Sequence, residues 1–227
     1  KSKRTKISEK FSFPTKCPSC GSKTVKEFNK ITKKNDAVRR CTSEGYYCEK
    51  ISIEKLKHFV SKEAFNIDGF GKKIVENFYK LKFIKLPQDI FKLDFKKIKN
   101  LEGWGKLSVE NLKYAINEKK NISIERLIYS LGIRHIGLEN AKLISKHFRS
   151  FSKFKALAKN NKYNELLDVD GIGETQVNSV KNFFSNKINT DMLDQFEKIL
   201  NIKDALEENK NGILKNQSFM ITGKLKG

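Results

Sequence analysis

The stretch "FNIDGFGKKIVENF", residues 65–78, decides the fold of this chain. Two glycines flank one phenylalanine, and a lysine-rich segment follows, in which Ile74, Val75 and Phe78 are the apolar residues. Their spacing places them on one face of a helix, so the stretch predicts an amphipathic helix that begins directly after the glycines. A Gly-x-Gly turn at a helix start is typical of phosphate binding, because glycine lets backbone amides approach an anion closely.

The same pattern recurs at intervals of 32 to 36 residues, and each copy lies between two helical patterns. The copies are "IDGFG" at 67–71, "LEGWG" at 101–105, "IRHIG" at 133–137 and "VDGIG" at 169–173. A repeat of fixed period says more about architecture than any single motif does. We therefore expect four units of helix, tight turn and helix, with the apolar residue of each turn packed into its own hairpin. These residues are Phe70, Trp104, Ile136 and Ile172.

Two nucleotide-binding loops are excluded by the residues around the first copy. A dinucleotide-binding loop follows a strand and carries a third glycine, and a P-loop ends in Gly-Lys-Ser/Thr. Residues 57–66 show no strand-like alternation, and Lys72 and Lys73 stand where further glycine would be expected. What remains is the helix-hairpin-helix motif, which binds the phosphates of duplex DNA without reading its bases. The alternative is a purely structural helical array.

The candidate DNA contacts are the glycines of the four turns and two lysines that follow them. They are Gly69, Gly71, Lys72, Gly103, Gly105, Lys106, Gly137, Gly171 and Gly173. His135 stands at the first glycine position of the third copy, where its side chain would crowd an approaching phosphate. We expect that hairpin to be structural or a weaker DNA contact.

The net charge of the chain also indicates an anionic partner. It is +21, from 47 basic and 26 acidic residues. Part of this excess is typical of an A+T-rich coding sequence, and the remainder favours nucleic acid. The apolar fraction of 38% favours several small units over one thick core. No run approaches the ~18 apolar residues of a membrane span, so we expect no membrane partner and, by default, a cytoplasmic location.

All four cysteines of the chain lie close together in sequence and predict a structural zinc site. They are Cys17, Cys20, Cys41 and Cys48, in "CPSCG" and "CTSEGYYC". C-x2-C followed by glycine is half of a common zinc site, whereas six residues between the second pair exceed the usual spacing. Four thiolates fill a tetrahedral shell and leave no open position for catalysis. Two disulfides or free thiols are the alternatives, but nothing here indicates secretion.

A four-cysteine finger followed by four such hairpins resembles the C-terminal half of bacterial NAD-dependent DNA ligase. The matching phrases are "FPTKCPSCGS", "RRCTS", "KLKHFVSKEAFNIDGFG", "LEGWGKLSVENL", "LIYSLGIRHIGLENAKLI" and "DVDGIGETQVNSVKNFF". The resemblance covers about residues 10–227. Six residues between Cys41 and Cys48 depart from the four or five common in that family, and Tyr46 and Tyr47 form the insertion.

The resemblance implies an all-α fold, a tandem helix-hairpin-helix domain preceded by a small four-cysteine zinc finger. The predicted segments are a basic linker at 1–10, the finger at 11–54, the four hairpins at 55–200, a linker at 201–216 and a truncated first strand of a BRCT domain at 217–227. That last segment, "QSFMITGKLKG", looks like the start of a further domain, so the chain is expected to be a fragment.

The resemblance also implies a function, namely gripping nicked duplex DNA within a ligase that acts in replication and repair. Such ligases carry an adenylated lysine in a K-x-D-G motif, which does not occur here, so no catalytic residue is assigned. NAD and Mg²⁺ are implied for the full-length enzyme, together with upstream adenylation and oligonucleotide-binding domains. Two alternatives stay open, a standalone DNA-repair binding module and a protein-binding adaptor.

Overall fold

The computed structural model describes residues 12–29 and 33–205. Helices dominate, as expected, and they follow a small finger built from short strands. The helices are α1 (Glu49–Phe59), α2 (Lys72–Lys80), α3 (Phe95–Lys99), α4 (Lys106–Glu118), α5 (Ile124–Ser130), α6 (Leu138–Phe148), α7 (Phe151–Asn160), α8 (Glu174–Ser185) and α9 (Lys187–Ile199). Two 3₁₀ helices complete the array, at Pro87–Lys92 and Tyr163–Asp168.

Each predicted turn joins two of these elements, so the four hairpins can be numbered in chain order. Hairpin 1 is α1 with α2, hairpin 2 is α3 with α4, and hairpin 3 is α5 with α6. Hairpin 4 differs, because the 3₁₀ helix Tyr163–Asp168, and not an α-helix, precedes its turn and α8. Turns 1 to 4 are the four sequence copies described above.

One continuous apolar core runs through the helical array, and the predicted helix faces supply it. The apolar turn residues Phe70, Ile136 and Ile172 are buried, and Trp104 packs against the core while remaining partly exposed. Aromatic rings tie the first hairpin to the last helix, since the Phe59 ring centroid lies 4.2 Å from that of Phe65 and 5.5 Å from that of Phe196. Burying a Phe side chain fully contributes about 1.5–3 kcal/mol.

The finger is a β-hairpin that brings the two cysteine pairs together. Strand β1 (Thr24–Val25) pairs antiparallel with β4 (Arg40–Cys41), and β2 (Phe28–Asn29) pairs antiparallel with β3 (Lys34–Asn35). Cys41 therefore lies opposite Thr24 on the neighbouring strand. Cys48 is the residue from which α1 begins, and it is buried. The finger predicted to end at residue 54 thus shares α1 with hairpin 1.

A parallel strand pair corrects the predicted linker at 201–216. Strand β5 (Asn121–Ser123) pairs with β6 (Asn201–Lys203), so the helical domain extends at least to residue 203. The pairing joins the end of hairpin 2 to the end of α9, across about 80 residues of chain. The predicted segments at 1–10 and 217–227 lie outside the described residues. Within the described ranges, no helix is both long and apolar enough to cross a membrane.

Candidate nucleic-acid interface and metal centre

The four turns share one backbone geometry. In each, the amide of the apolar turn residue donates to the carbonyl three residues earlier, at N–O distances of 3.0–3.1 Å. The donors are Phe70, Trp104, Ile136 and Ile172, and the acceptors are Ile67, Leu101, Ile133 and Val169. The glycine that ends each turn is the N-cap of the following helix, in extended conformation. The first amides of that helix have no carbonyl one turn earlier to bond, so they point out of the helix end.

A left-handed residue stands at the same place in every turn. The φ angle is +73° at Gly69, +79° at Gly103 and +86° at Gly171, which glycine adopts without steric cost. His135 takes the corresponding position at φ +60°. The histidine thus keeps the turn conformation, although a side chain there costs strain that glycine avoids.

Turns 1 and 2 are open on their outer side. A Cβ atom placed on Gly69, Gly71, Gly103 or Gly105 would meet no heavy atom within 4 Å. The two turns border a shared cavity of about 570 Å³, with Trp104 in its wall. Backbone amides that are exposed in this way let an anion approach closely.

The charges at the helix starts favour the same two turns. Neither α2 nor α4 has an acidic residue in its first turn, and the exposed lysines Lys72, Lys73 and Lys106 lie there instead. These lysines form no ion pair within the described ranges. Since the helix dipole also attracts anions at this end, hairpins 1 and 2 offer two matched sites for phosphate.

Turns 3 and 4 are occupied by groups of the protein itself. In turn 4, the amide of Gly173 donates to Oε1 of Gln176 at 3.2 Å, and a Cβ on Gly171 would lie 3.1 Å from a methyl carbon of Leu143. In turn 3, Nδ1 of His135 lies 3.0 Å from the Ser179 hydroxyl, and Nδ2 of Asn140 donates to the His135 carbonyl at 2.9 Å.

The first turns of α6 and α8 carry Glu139 and Glu174, which oppose a phosphate. The His135 pKa is lowered, first by burial and then by the positive charges of Arg134 and Arg40. The imidazole at turn 3 therefore stays neutral over a wider pH range than a free histidine and attracts an anion less. Hairpins 3 and 4 retain the motif geometry while presenting weaker sites for phosphate.

The four cysteines converge as predicted. Their Sγ atoms all lie within 4.8 Å of one another, with 4.0 Å between Cys17 and Cys48 and 3.4 Å between Cys20 and Cys41. Tetrahedral thiolates on zinc, with bonds of about 2.3 Å, lie about 3.8 Å apart, so the spacing fits such an ion. All four are free cysteines, at distances well beyond the ~2 Å of a disulfide bond.

The pKa values of the Cys20 and Cys41 thiols are shifted in opposite directions, and a bound cation would favour the ionised form of both. Hydrogen bonds from the Ser22 side chain and backbone lower the pKa of Cys20 to about 6. Burial raises the pKa of Cys41 to about 12. Thiols this close repel each other when ionised, and a divalent metal removes that repulsion by binding all of them as thiolates.

Tyr46, one of the two residues inserted between Cys41 and Cys48, anchors the finger on the helices. The Tyr46 hydroxyl lies 3.9 Å from Sδ of Met192 on α9, and Nζ of Lys55 lies 4.7 Å from the centre of the Tyr46 ring. Burial of the hydroxyl raises the Tyr46 pKa. The backbone carbonyl of Tyr46 accepts a hydrogen bond from Ser52 Oγ at 2.8 Å. Tyr47, the other inserted residue, is exposed. Sequence patterns did not predict this contact, because it joins residues about 146 apart.

A second contact that the sequence did not predict joins the finger to turn 3. The Arg134 guanidinium forms ion pairs with Glu27 and Asp36, which belong to the finger's β-hairpin. The residue stands inside the "IRHIG" copy, where the sequence had suggested roles for His135, Ile136 and Gly137 but none for Arg134. No periodicity connects it to acidic residues about 100 positions earlier.

Comparisons with known proteins place these features in context. The family model described as helix-hairpin-helix motif matches residues 126–193, which span hairpins 3 and 4. The DNA ligase of Pelagibacter ubique is 63% identical over 225 residues, which cover 99% of this chain and 33% of that protein. The DNA ligase of Parvibaculum lavamentivorans is 41% identical over 203 residues, covering 84% of this chain and 28% of that protein.

The chain therefore spans about a third of the length of the curated relatives that it matches. These relatives confirm the resemblance to DNA ligases over nearly the whole chain. The match to the helix-hairpin-helix model agrees with the predicted helical fold. The geometry of turns 1 and 2 extends that motif to residues 67–71 and 101–105, upstream of the matched range.

Proposed function

We propose that this chain is the DNA-binding part of an NAD-dependent DNA ligase that seals nicks. The observation that carries the proposal is the pair of open turns in hairpins 1 and 2, each followed by lysine at the helix start, within a chain that matches proteins named DNA ligase along its length. The ligand is duplex DNA, recognised by phosphate contacts that carry no base information.

Hairpins 1 and 2 are the principal phosphate sites. Their two helix starts face a common cavity, so each turn can hold a phosphate of a neighbouring backbone segment. Lys72 and Lys106 add charge at the two helix starts, and Lys96 and Lys99 are exposed on α3, the first helix of hairpin 2. Hairpins 3 and 4 complete the fold and contribute less to DNA affinity.

In the reaction of such a ligase, the enzyme is adenylated by NAD, AMP passes to the 5′-phosphate of the nick, and the 3′-hydroxyl then attacks. This chain contributes the grip on duplex and supplies no group to those steps, since it has no K-x-D-G lysine. Zinc, bound by the four thiolates, would order the finger and stay outside the chemistry. NAD and Mg²⁺ belong to the upstream domains of a full-length enzyme.

Fluorescence anisotropy with a labelled duplex tests the proposal. We expect binding that is independent of base sequence and that weakens steeply as salt rises. Nicked and intact duplexes are titrated side by side, because a preference for the nick would place this chain at the site of reaction. No duplex binding at low salt would refute the proposal and favour the protein-binding adaptor. Incubation with labelled NAD should leave the chain unlabelled.

A further inference from the structure

Arg134 of turn 3 is bound by two carboxylates of the finger. Its Nη1 contacts Glu27 Oε1, and its Nη2 lies 3.7 Å from Asp36 Oδ2. The two acidic residues are neighbours across the finger's β-hairpin, since the Asp36 amide donates to the Glu27 carbonyl at 2.7 Å. They therefore present a pair of negative charges to a turn of the same type as turns 1 and 2, which are open.

The same ion-pair cluster reaches the metal centre. Asp36 Oδ2 also lies 3.5 Å from Nη2 of Arg40, the residue directly before the ligand Cys41. Arg40 and Cys41 form β4, which pairs with β1 and so fixes where Cys41 stands. The contacts run without a break from Arg134 through Asp36 and Arg40 to the strand that carries one thiol.

We propose that hairpin 3 binds the finger of its own chain in place of a DNA phosphate, and that Arg134 is a positioning residue for the metal site. The two finger carboxylates bind the Arg134 side chain, which would otherwise be available to a phosphate at this turn. Arg134 in turn holds the finger's β-hairpin so that Cys41 meets the other three thiols. The inference rests on metal binding by the cysteines and is independent of whether hairpins 1 and 2 bind DNA.

The surroundings of turn 3 agree with a docking role. The histidine at the glycine position is tied to Ser179, and Glu139 stands in the first turn of α6. A phosphate at this turn would have to displace Glu27 and Asp36 from Arg134 and approach a third carboxylate. Because the ion pairs are partly exposed, their contribution is modest and is best measured as a rate of metal release.

The test measures zinc release from the zinc-loaded chain into an excess of the chromogenic chelator 4-(2-pyridylazo)resorcinol. We expect Arg134→Glu to accelerate release about fivefold, the scale of a partly exposed ion pair. Lys181→Glu is the matched control, since it makes the same charge change on an exposed residue of α8 and should leave the rate unchanged. Glu27→Arg should accelerate release as Arg134→Glu does. The double variant Arg134→Glu/Glu27→Arg should restore the parent rate.

Equal release rates for Arg134→Glu and the parent would overturn the proposal, and so would a double variant no slower than the single ones. Duplex affinity is measured on the same samples. Arg134→Glu should weaken binding no more than Lys181→Glu does, and a greater loss would make Arg134 a DNA contact and overturn the docking role. Should Arg134→Glu fail to fold by circular dichroism, Arg134→Gln and Glu27→Gln give the same comparison with smaller changes.

Discussion

Replacing Gly105 with serine separates phosphate binding from helix capping at turn 2. Gly105 is the N-cap of α4, with φ −86° and ψ 172°, a conformation that any residue adopts. A Cβ at this position would meet no heavy atom within 4 Å, so serine fits without strain. Gly137 offers the matched control, because it is the N-cap of α6 at φ −80° and ψ −178° and a Cβ added there would also meet no heavy atom within 4 Å.

The expected effects on stability and on DNA affinity have opposite signs. Serine is a better N-cap than glycine, so each variant should gain a few tenths of a kcal/mol, about 0.3, in the free energy of unfolding. Its hydroxyl bonds the helix amides that a phosphate would otherwise use. Losing one hydrogen bond to a charged phosphate costs about 1.5–3 kcal/mol, which is roughly a 10- to 150-fold weaker Kd.

Urea unfolding and anisotropy titrations with one labelled duplex measure the two quantities on the same preparations. Gly105→Ser should bind DNA more weakly while unfolding at the same or higher urea concentration. Gly137→Ser should show the small stability gain with little change in Kd, since turn 3 is engaged by the finger. If Gly105→Ser binds like the parent, the amides of turn 2 do not hold phosphate. An equal loss in both variants would refute the division between hairpins 1 and 2 and hairpins 3 and 4.

The metal centre, the phosphate contacts and turn 3 can each be tested separately. Cys17→Ser should abolish stoichiometric metal binding, as measured by metal analysis, and expose the finger to protease while most of the helical circular dichroism remains. Two disulfides found by mass spectrometry in the parent would contradict the zinc assignment. If the chain neutralises about six phosphates, the logarithm of the duplex association constant should fall with the logarithm of the salt concentration at a slope of roughly −5. Lys72→Ala should reduce the magnitude of that slope by about 1. A flat salt response in the parent would contradict a duplex held by its phosphates. His135→Gly should preserve or slightly improve duplex binding, because glycine adopts the positive φ without strain. Folding lowers the His135 pKa, so the parent should lose stability as pH falls from about 6.5 toward the folded pKa, and the variant should not. A variant with the same pH profile of stability as the parent would show that His135 is not the source of the effect.

The sequence alone was sufficient to predict the four turns. Each depends on neighbours within a few residues, namely a residue that adopts positive φ (glycine in three turns, His135 in turn 3), a glycine at the helix start and an apolar stripe that begins there. Such local constraints are visible without a partner segment. For this reason the helix starts after Gly71, Gly105, Gly137 and Gly173 lie where the pattern placed them.

The clustering of the four cysteines was likewise visible in the sequence, because C-x2-C followed by glycine is half of a common zinc site and the second cysteine pair lies within about 30 residues of it. Local patterns were less reliable for the element before turn 4. Residues 161–169 carry an apolar pattern typical of a helix, yet Tyr163–Asp168 forms a 3₁₀ helix. A six-residue segment gains little from helical propensity, so its packing against α8 decides its form.

Tertiary structure alone decided which turns remain open. The sequence predicted that His135 would make hairpin 3 structural or a weaker DNA contact. The structure shows that His135 keeps the positive φ of the turn and that the finger is bound to the neighbouring Arg134. The Tyr46 anchor on α9 and the parallel pairing of β5 with β6 are equally invisible in sequence. All of these contacts join segments about 80 to 146 residues apart, and they form because the packed helices bring those segments together. A local pattern encodes φ angles and helix faces, but which distant side chains meet is determined by the packing of the whole domain.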